Sequence, residues 1–158
     1  MKTPPTVTLK RGREAAVLRG HPWIFRGAID QAPDPAALAG RLGTTVRVQS
    51  AASCGEPTRM LGHAAWSPHS QIALRMWSTD PREAIDRAFF ARRIASALDA
   101  RGALLAEPQG GCRLVHGESD RLPGVVADRY ADVVVIQSSS AGAEAHREIL
   151  AELLVDAL

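Results

Sequence analysis

The stretch RLVHGESDRLPGVVADRY, residues 113–130, has the most specific order and spacing of residues in this chain. Its two ends, residues 113–116 and 124–129, have the composition of short strands, and a loop with two carboxylates and a Pro-Gly turn lies between them. Residues 133–137 follow as the second strand of a hairpin. Because Val133 to Ile136 form a continuous apolar run, we expect both faces of that strand to be covered.

Helices are predicted on both sides of these strands. Asp80 can cap the first helix, with Pro81 in its first turn and Glu83 closing a capping box. The apolar stripe of that helix consists of Ile85, Phe89, Phe90, Ile94, Ala97 and Leu98, and the helix is expected to end near residues 101–102. The Phe89-Phe90 pair is predicted to belong to the core. A second amphipathic helix is predicted from about Ala143.

The first half of the chain is predicted to consist of short strands with one short helix. The expected strands are residues 6–10, 23–29, 44–49, 59–66 and 71–77, with a helix over 14–19 that Gly20 ends and loops over 31–43 and 51–57. Many short strands with polar turns favour a small, barrel-like sheet. We therefore predict an α+β fold with one domain over residues 1–78 and another over 79–158.

Charge is distributed unevenly between the two halves. Residues 1–78 contain ten basic and four acidic residues, a net charge of +6, whereas residues 79–158 carry a net charge of −4. A basic half suggests a polyanionic partner, and a solvated basic surface without a partner is the open alternative. No apolar run is long enough to span a membrane and the N-terminus lacks a secretory signal, so we expect a cytoplasmic protein.

The basic residues concentrate near the N-terminus. A glycine between two arginines lets the backbone approach a phosphate closely, and arginine binds phosphate oxygens in pairs. His21 can stack on or hydrogen-bond to an unstacked base. The candidate RNA-binding residues are Lys10, Arg11, Gly12, Arg13, Arg19, His21 and Arg26.

Other chemistry is weakly supported by the sequence. Glu118, Ser119 and Asp120 could serve a hydrolase, with the two carboxylates as its acid and base, but two acids on one turn fit caps and backbone hydrogen bonds better. His63, His69 and Cys54 match no structural zinc spacing, so no metal is predicted. No glycine-rich nucleotide loop follows a strand. We therefore predict no catalytic residue and no bound cofactor in this chain.

Several separate segments together resemble one protein family. They are residues 9–14, 21–28, 67–72, 86–93, 113–130 and 140–144. In this order they resemble the N-terminal part of bacterial large-subunit (23S) ribosomal RNA methyltransferases, the class I, PUA-containing, S-adenosylmethionine-dependent cytosine-5 type. The resemblance extends over essentially the whole chain.

The resemblance implies a PUA domain over residues 1–78 and a strand-strand-helix-strand-strand domain over 79–158. In the family a Rossmann-like catalytic domain follows, with the S-adenosylmethionine site and a cysteine that attacks cytosine C6 before methyl transfer to C5. The resemblance thus implies that this chain holds ribosomal RNA and is inactive alone. Neither Cys54 nor Cys112 matches the catalytic cysteine. The oligomeric state stays open, with a homodimer as one alternative.

Two positions depart from the family pattern. Arg121 and Ala131 stand where the family often has glycine, and alanine makes a tight hairpin turn less easy. A different functional class also remains open, namely a stand-alone PUA-type RNA-binding module without an attached enzyme.

Overall fold

The first half of the chain folds around one six-stranded sheet. The computed structural model describes residues 4–34, 38, 42–52, 57–106 and 110–158, and the chain divides into two compact units, Met1–Glu83 and Ala84–Leu158. The first unit contains β1 (Thr6–Leu9), α1 (Glu14–Leu18), β2 (Trp23–Phe25), β3 (Ile29–Gln31), β4 (Thr45–Ser50), β5 (Met60–Trp66) and β6 (Ile72–Ser78). The strand order is β2-β6-β5-β4-β1-β3. β1 runs parallel to β4, and the other neighbours are antiparallel.

A single stretch of chain joins the two ends of this sheet. β2 pairs with β6 at one end, where Ile24 lies opposite Leu74, and β3 pairs with β1 at the other end. Only a 3-10 turn, Arg26–Ala28, separates β2 from β3. The sheet is therefore curled. The prediction of one strand over residues 23–29 is wrong, because the chain turns a corner at this 3-10 segment.

Apolar side chains fill the interior of the curled sheet. Along β4, Val46 and Val48 are fully buried while Arg47 between them is half-buried, which is the alternation expected of a strand with one covered face. The buried cluster includes Val7, Leu9, Val17, Ile24, Val46, Val48, Leu61, Leu74 and Met76. The other predicted strands of this half and the helix ended by Gly20 are confirmed.

The second unit packs helices against a three-stranded antiparallel sheet. Its elements are α2 (Arg87–Arg101), β7 (Gly111–His116), β8 (Val125–Tyr130), β9 (Val133–Ser138), α3 (Ala141–Ala145) and α4 (Arg147–Asp156). The sheet order is β7-β8-β9, and α2 contacts both β7 and α4. Phe89 and Phe90 are fully buried, so their predicted place in the core is confirmed. The α+β class is also confirmed.

The first helix of this unit begins later than predicted. Asp86 is its N-cap and accepts a hydrogen bond from the Phe89 N–H at 2.9 Å. Asp80 instead accepts from the backbone N–H of Arg82, and the Glu83 carboxylate accepts from the Ser78 hydroxyl. The predicted Asp80 capping box is therefore wrong, because these two carboxylates are engaged in the turn that precedes the helix.

The C-terminal helical segment is interrupted. His146 ends α3 and precedes α4, and its ring lies 4.6 Å from the ring of Phe90. The segment begins with Ser140, whose hydroxyl accepts from the Ala143 N–H at 3.1 Å. The single helix predicted from Ala143 is therefore two short helices, separated where His146 packs on the core.

Strand β9 is covered on one side only. Val133 and Val135 are 54% and 50% exposed, and the residues that alternate with them are half-buried. The prediction that both faces are covered is wrong. β9 is an edge strand of a sheet in which exposure alternates, and a run of valines does not reveal that position.

The strand-strand-helix-strand-strand order predicted for residues 79–158 is not confirmed. The described part of Ala84–Leu158 has the order helix, three strands, two helices. The two strands that precede α2, namely β5 and β6, hydrogen-bond within the sheet of the first unit. They therefore supply no strands to the second sheet.

The two departures from the family pattern both fall on left-handed backbone. Arg121 has φ 57° and Ala131 has φ 53°, a conformation in which glycine has no steric penalty. Ala131 lies in the turn between β8 and β9, which confirms the predicted hairpin.

Parts of the predicted loops lie outside the described residues, namely 35–37, 39–41, 53–56 and 107–109. Among the residues that are described, no helix has both the length and the apolar character needed to cross a bilayer.

Gly62 in β5 allows a close approach between strands and provides a test of this packing. Its φ is 128°, and a Cβ there would overlap the carbonyl oxygen of Ser78 and lie 2.9 Å from Thr79 Cα. We expect Gly62→Ala to lower the free energy of unfolding of the first unit by about 3 kcal/mol, from overpacking and left-handed strain. Urea denaturation followed by tryptophan fluorescence measures this, because all three tryptophans lie in this unit.

Gly27→Ala is the matched control, because a Cβ at Gly27 would have no heavy atom within 4 Å. We expect its unfolding free energy to stay within about 0.5 kcal/mol of the parent protein. Equal stability of the two variants would contradict the claim that β5 and β6 depend on a glycine at position 62.

Candidate RNA-binding site

A tight turn presents the first basic residues. The Arg13 N–H donates to the Lys10 carbonyl at 3.0 Å, and Gly12 has φ 80°. Such a φ is required at the third position of a type II turn, where glycine is favoured. Lys10, Arg11, Gly12 and Arg13 are all exposed. The turn connects β1 to α1, and both arginines lie within its four residues.

Lys10 is held against the 3-10 turn between β2 and β3. Its backbone N–H donates to the Ala28 carbonyl at 2.8 Å, and its Nζ donates to the Gly27 carbonyl at 3.0 Å. These two bonds bring the Lys10–Arg13 turn beside the segment that follows β2. The sequence does not reveal this juxtaposition, because 17 residues separate Lys10 from Gly27.

Arg26 differs from the other predicted arginines in its contacts. Its Nη2 donates to the carbonyl of Pro68 and, at 3.3 Å, to that of Ser70. Its guanidinium is therefore fixed to the turn between β5 and β6. Arg19, at the C-terminal end of α1, is exposed.

Aromatic residues lie beside the basic turn, and the sequence interpretation missed two of them. Trp23 is 36% and Phe25 is 51% exposed, whereas Ile24 between them is 4% exposed. The backbone N–H of Trp23 donates to His21 Nδ1 at 3.1 Å, and the two rings meet edge to face with centroids 6.1 Å apart. The signal available in the sequence was the alternation of two aromatic residues around one isoleucine in a strand.

Arg13, Trp23 and Phe25 line a common groove of about 290 Å³. The other lining residues are Ala16, Val17, Ile24, Gly27 and Ala28. Thus the structure brings Arg13 of the predicted set together with the missed aromatic residues. Lys10 adjoins this groove through its bond to Gly27. The assignment of all seven residues to RNA binding stays a prediction.

In the carboxylate loop at residues 118–120, Asp120 has a structural role. Asp120 accepts hydrogen bonds from Arg101 at 2.7 and 2.6 Å and from the His116 N–H at 2.6 Å. The side chains of Arg101 and Asp120 are 14% and 11% exposed. Arg101 also donates to the Arg113 carbonyl at 2.9 Å. This arrangement joins α2 to β7 and to the loop that follows it.

These contacts affect the pKa of Asp120. Burial alone raises the pKa, but the hydrogen bonds from Arg101 and from the His116 backbone outweigh it, and the net pKa lies below its ordinary value of 3.8. A carboxylate kept ionised by a buried arginine is poorly suited to donate or accept a proton near neutral pH. The geometry therefore favours the cap and hydrogen-bond interpretation of this loop over the hydrolase interpretation.

The residues considered for metal binding do not form a site within the described chain. No group of three or more His, Cys, Asp or Glu side chains suited to a metal occurs among the described residues, and Cys54 lies outside them. Cys112 is buried as a free thiol.

Comparison with known proteins identifies a domain family that the first unit matches. Residues 7–79 match the family model described as a PUA-like domain. Ribosomal RNA large subunit methyltransferase I of Shewanella amazonensis is 44% identical over 151 residues, which cover 95% of this chain and 36% of that protein. The protein of the same name from Pseudoalteromonas atlantica is 48% identical over 146 residues, with 90% and 34% covered. The chain therefore spans about a third of the length of the curated relatives it matches.

Solved structures with a similar fold include a protein described as a SAM-dependent methyltransferase from Streptococcus mutans, with a TM-score of 0.75 at 15% identity. This likeness covers 97% of the present chain and 38% of the solved one. A second protein, solved in complex with SAH, gives a TM-score of 0.76 at 15% identity, with 97% of the present chain and 37% of the solved one covered. At this level of identity the likeness concerns the fold.

The Arg101–Asp120 pair predicts a pH-dependent stability. We expect Asp120→Asn to lower the free energy of unfolding of the second unit by about 3 kcal/mol at pH 7, because it leaves a buried guanidinium without its anion. Since the folded pKa of Asp120 is lowered, this contribution is present above the unfolded pKa, about 3.9, and is lost as pH falls through the folded value. The difference between variant and parent should therefore shrink below about pH 4.

Denaturation followed by circular dichroism between pH 3 and 7 measures this difference. Asp80→Asn is the matched control, because Asp80 pairs with an Arg82 side chain that is 90% exposed, and exposed pairs contribute under about 1 kcal/mol. A deficit of Asp120→Asn that is independent of pH would show that the ionised carboxylate is not what stabilises the loop.

Proposed function

This chain has a PUA-like domain and corresponds to the N-terminal part of proteins named ribosomal RNA large subunit methyltransferase I; from this premise we propose that it is the RNA-binding part of a ribosomal RNA methyltransferase. In this proposal the chain holds large-subunit ribosomal RNA while a catalytic region that it does not contain transfers the methyl group. The finer assignments, a cytosine C5 as acceptor and the cytoplasm as location, belong to the same proposal.

The observation that carries the proposal is the clustering of exposed cations on the first unit. Arg11 and Arg13 leave one tight turn, and Lys10 of the same turn is bonded to the segment after β2. Arginine and lysine close together on a rigid surface neutralise successive phosphates of a nucleic acid. The net charge of +6 on residues 1–78 has the same sign and adds a longer-range attraction.

Each cation contributes according to how it is held. Lys10 and Arg26 donate to backbone carbonyls, so their charges have defined positions. Arg11, Arg13 and Arg19 are exposed and can follow the phosphates of a flexible strand. His21 accepts a hydrogen bond at Nδ1 from the backbone N–H of Trp23, so its Nε2 side is the one that can meet a base edge.

S-adenosylmethionine is the methyl donor that the family resemblance implies. The residues described here do not fit it, since neither unit contains a strand followed by a glycine-rich loop and a helix of the kind that binds such a cofactor. We assign none of these residues to the cofactor or to the chemical step. Their role in the proposal is to bind and orient the RNA.

Binding should depend on salt in a defined way. We expect the chain to neutralise about three to five phosphates of a single strand, so log affinity should fall against log salt concentration with a slope of about −2 to −3.5. Fluorescence anisotropy with a labelled single-stranded RNA at several salt concentrations measures the slope. A flat response would contradict electrostatic RNA binding by this chain.

The site itself can be tested with a charge reversal. Arg11→Glu with Arg13→Glu should lower RNA affinity about ten-fold or more and should reduce the salt slope by at least one. The melting temperature should change little, because exposed charges contribute under about 1 kcal/mol to stability.

A matched control carries the same change of charge elsewhere. Arg92 and Arg147 are exposed residues of α2 and α4, whereas the guanidinium of Arg93 lies 4.9 Å from the ring of Phe89 and is better left intact. Arg92→Glu with Arg147→Glu should lower affinity much less. If both double variants weaken binding equally, net charge alone explains the effect and the assignment to the Lys10–Arg13 turn fails.

A further inference from the structure

Two aromatic side chains of β2 are exposed on the folded first unit. Trp23 and Phe25 are two residues apart and point to the side of the strand opposite Ile24, which is buried in the core. Trp66 and Trp77 are only 7% and 2% exposed. Trp23 is therefore the tryptophan of this chain that a ligand in solution can reach.

The surroundings of these rings form a shallow receptor for a flat, apolar group. Trp23 and Phe25 line the groove of about 290 Å³ together with buried Val17 and Ile24. The backbone N–H of Trp23 donates to His21 Nδ1 and holds that imidazole in place, and the imidazole in turn contacts the Trp23 ring edge to face. A ring that is already oriented loses little conformational entropy when another ring stacks on it.

The positive charge at this groove favours an occupant that carries negative charge. Arg13 lines it, and the Lys10 ammonium is bonded to Gly27 at its edge. An aromatic surface next to cations is the combination that binds single-stranded nucleic acids, since bases stack on the rings while phosphates pair with the cations. A paired base would have its faces covered by its neighbours in the helix and could not make this contact.

We propose that the groove binds one unstacked base of a single-stranded RNA segment, with the base against Trp23 and Phe25 and its flanking phosphates at Arg13 and Lys10. This proposal rests on the proposed function and extends it, because it requires the RNA to be single-stranded where it contacts the groove. Cations alone position a nucleic acid, whereas contact with a base is needed to distinguish an unpaired segment from a duplex.

The first test compares two oligomers with the same number of phosphates. An octauridylate supplies bases and phosphates, and an abasic ribose-phosphate octamer supplies phosphates alone. By anisotropy competition at low salt, we expect the octauridylate to bind on the order of ten-fold more tightly, as stacking of one base provides. We also expect only the octauridylate to quench the tryptophan fluorescence.

Variants of the aromatic residues test whether the difference in affinity between the two oligomers comes from Trp23 and Phe25. Trp23→Ala should lower octauridylate affinity on the order of ten-fold and leave the salt slope and the affinity for the abasic octamer unchanged. Phe25→Leu, which keeps apolar area but removes the ring, should weaken binding in the same direction. Trp23→Phe should recover most of the affinity lost in Trp23→Ala while abolishing the quenching. Leu18→Ala is the control, because Leu18 is 50% exposed on α1 and does not line this groove.

The outcomes separate this proposal from the proposed function. If neither oligomer binds, the proposed function fails. If both bind equally, or if Trp23→Ala equals the parent protein on octauridylate, RNA binding stands and the base-stacking proposal is overturned. If sedimentation shows a dimer that Trp23→Ala dissociates while octauridylate leaves fluorescence unchanged, the groove is covered by a second copy and the proposal is likewise overturned. The fluorescence of buried Trp66 and Trp77 reports whether Trp23→Ala remains folded.

Discussion

The curled sheet of the first unit depends on one nine-residue stretch that pairs at both of its ends. β2 pairs with β6 and β3 pairs with β1, although only Arg26–Ala28 separates β2 from β3. β2 and β3 are the two edge strands of this sheet, and an edge strand has backbone groups that are unpaired within the sheet. Here the covalent continuity of the chain brings those edges together. The corner that results also accepts both hydrogen bonds of Lys10, so the same constraint that curls the sheet positions the candidate site.

The second unit depends on a different interaction, the buried ion pair of Arg101 and Asp120. Arg101 lies at the end of α2 and Asp120 in the loop after β7, and together with the His116 N–H and the Arg113 carbonyl they form one connected set of bonds. A buried pair contributes little net energy compared with an apolar contact, but removing one partner is costly. These bonds hold the loop that follows β7 against the end of α2, and Arg121, directly after Asp120, has left-handed backbone.

Local patterns in the sequence predicted most of the elements but not their ends or their exposure. Alternation and turn residues identified β4, β5 and β6, since a hairpin is determined by neighbouring residues. The start of α2 was misplaced because Asp80 and Asp86 both match a cap, and Glu83 hydrogen-bonds to Ser78 rather than to the helix. The exposure of Val133 and the corner after β2 depend on which strands pair across the sheet, and no short window of sequence contains that information.

The candidate site was likewise only partly predictable from short windows of sequence. Two kinds of contact must be distinguished there, contacts with phosphates and contacts with bases. The sequence does not distinguish these basic residues from one another, whereas in the structure Lys10 and Arg26 donate to backbone carbonyls and Arg11 and Arg13 are exposed. Phosphate contacts of either kind position an RNA without distinguishing its bases. Any preference for an unpaired segment must come from groups that meet a base face. On the first unit those groups are the rings beside Arg13, which become recognisable only when α1 and β2 are seen to share one groove.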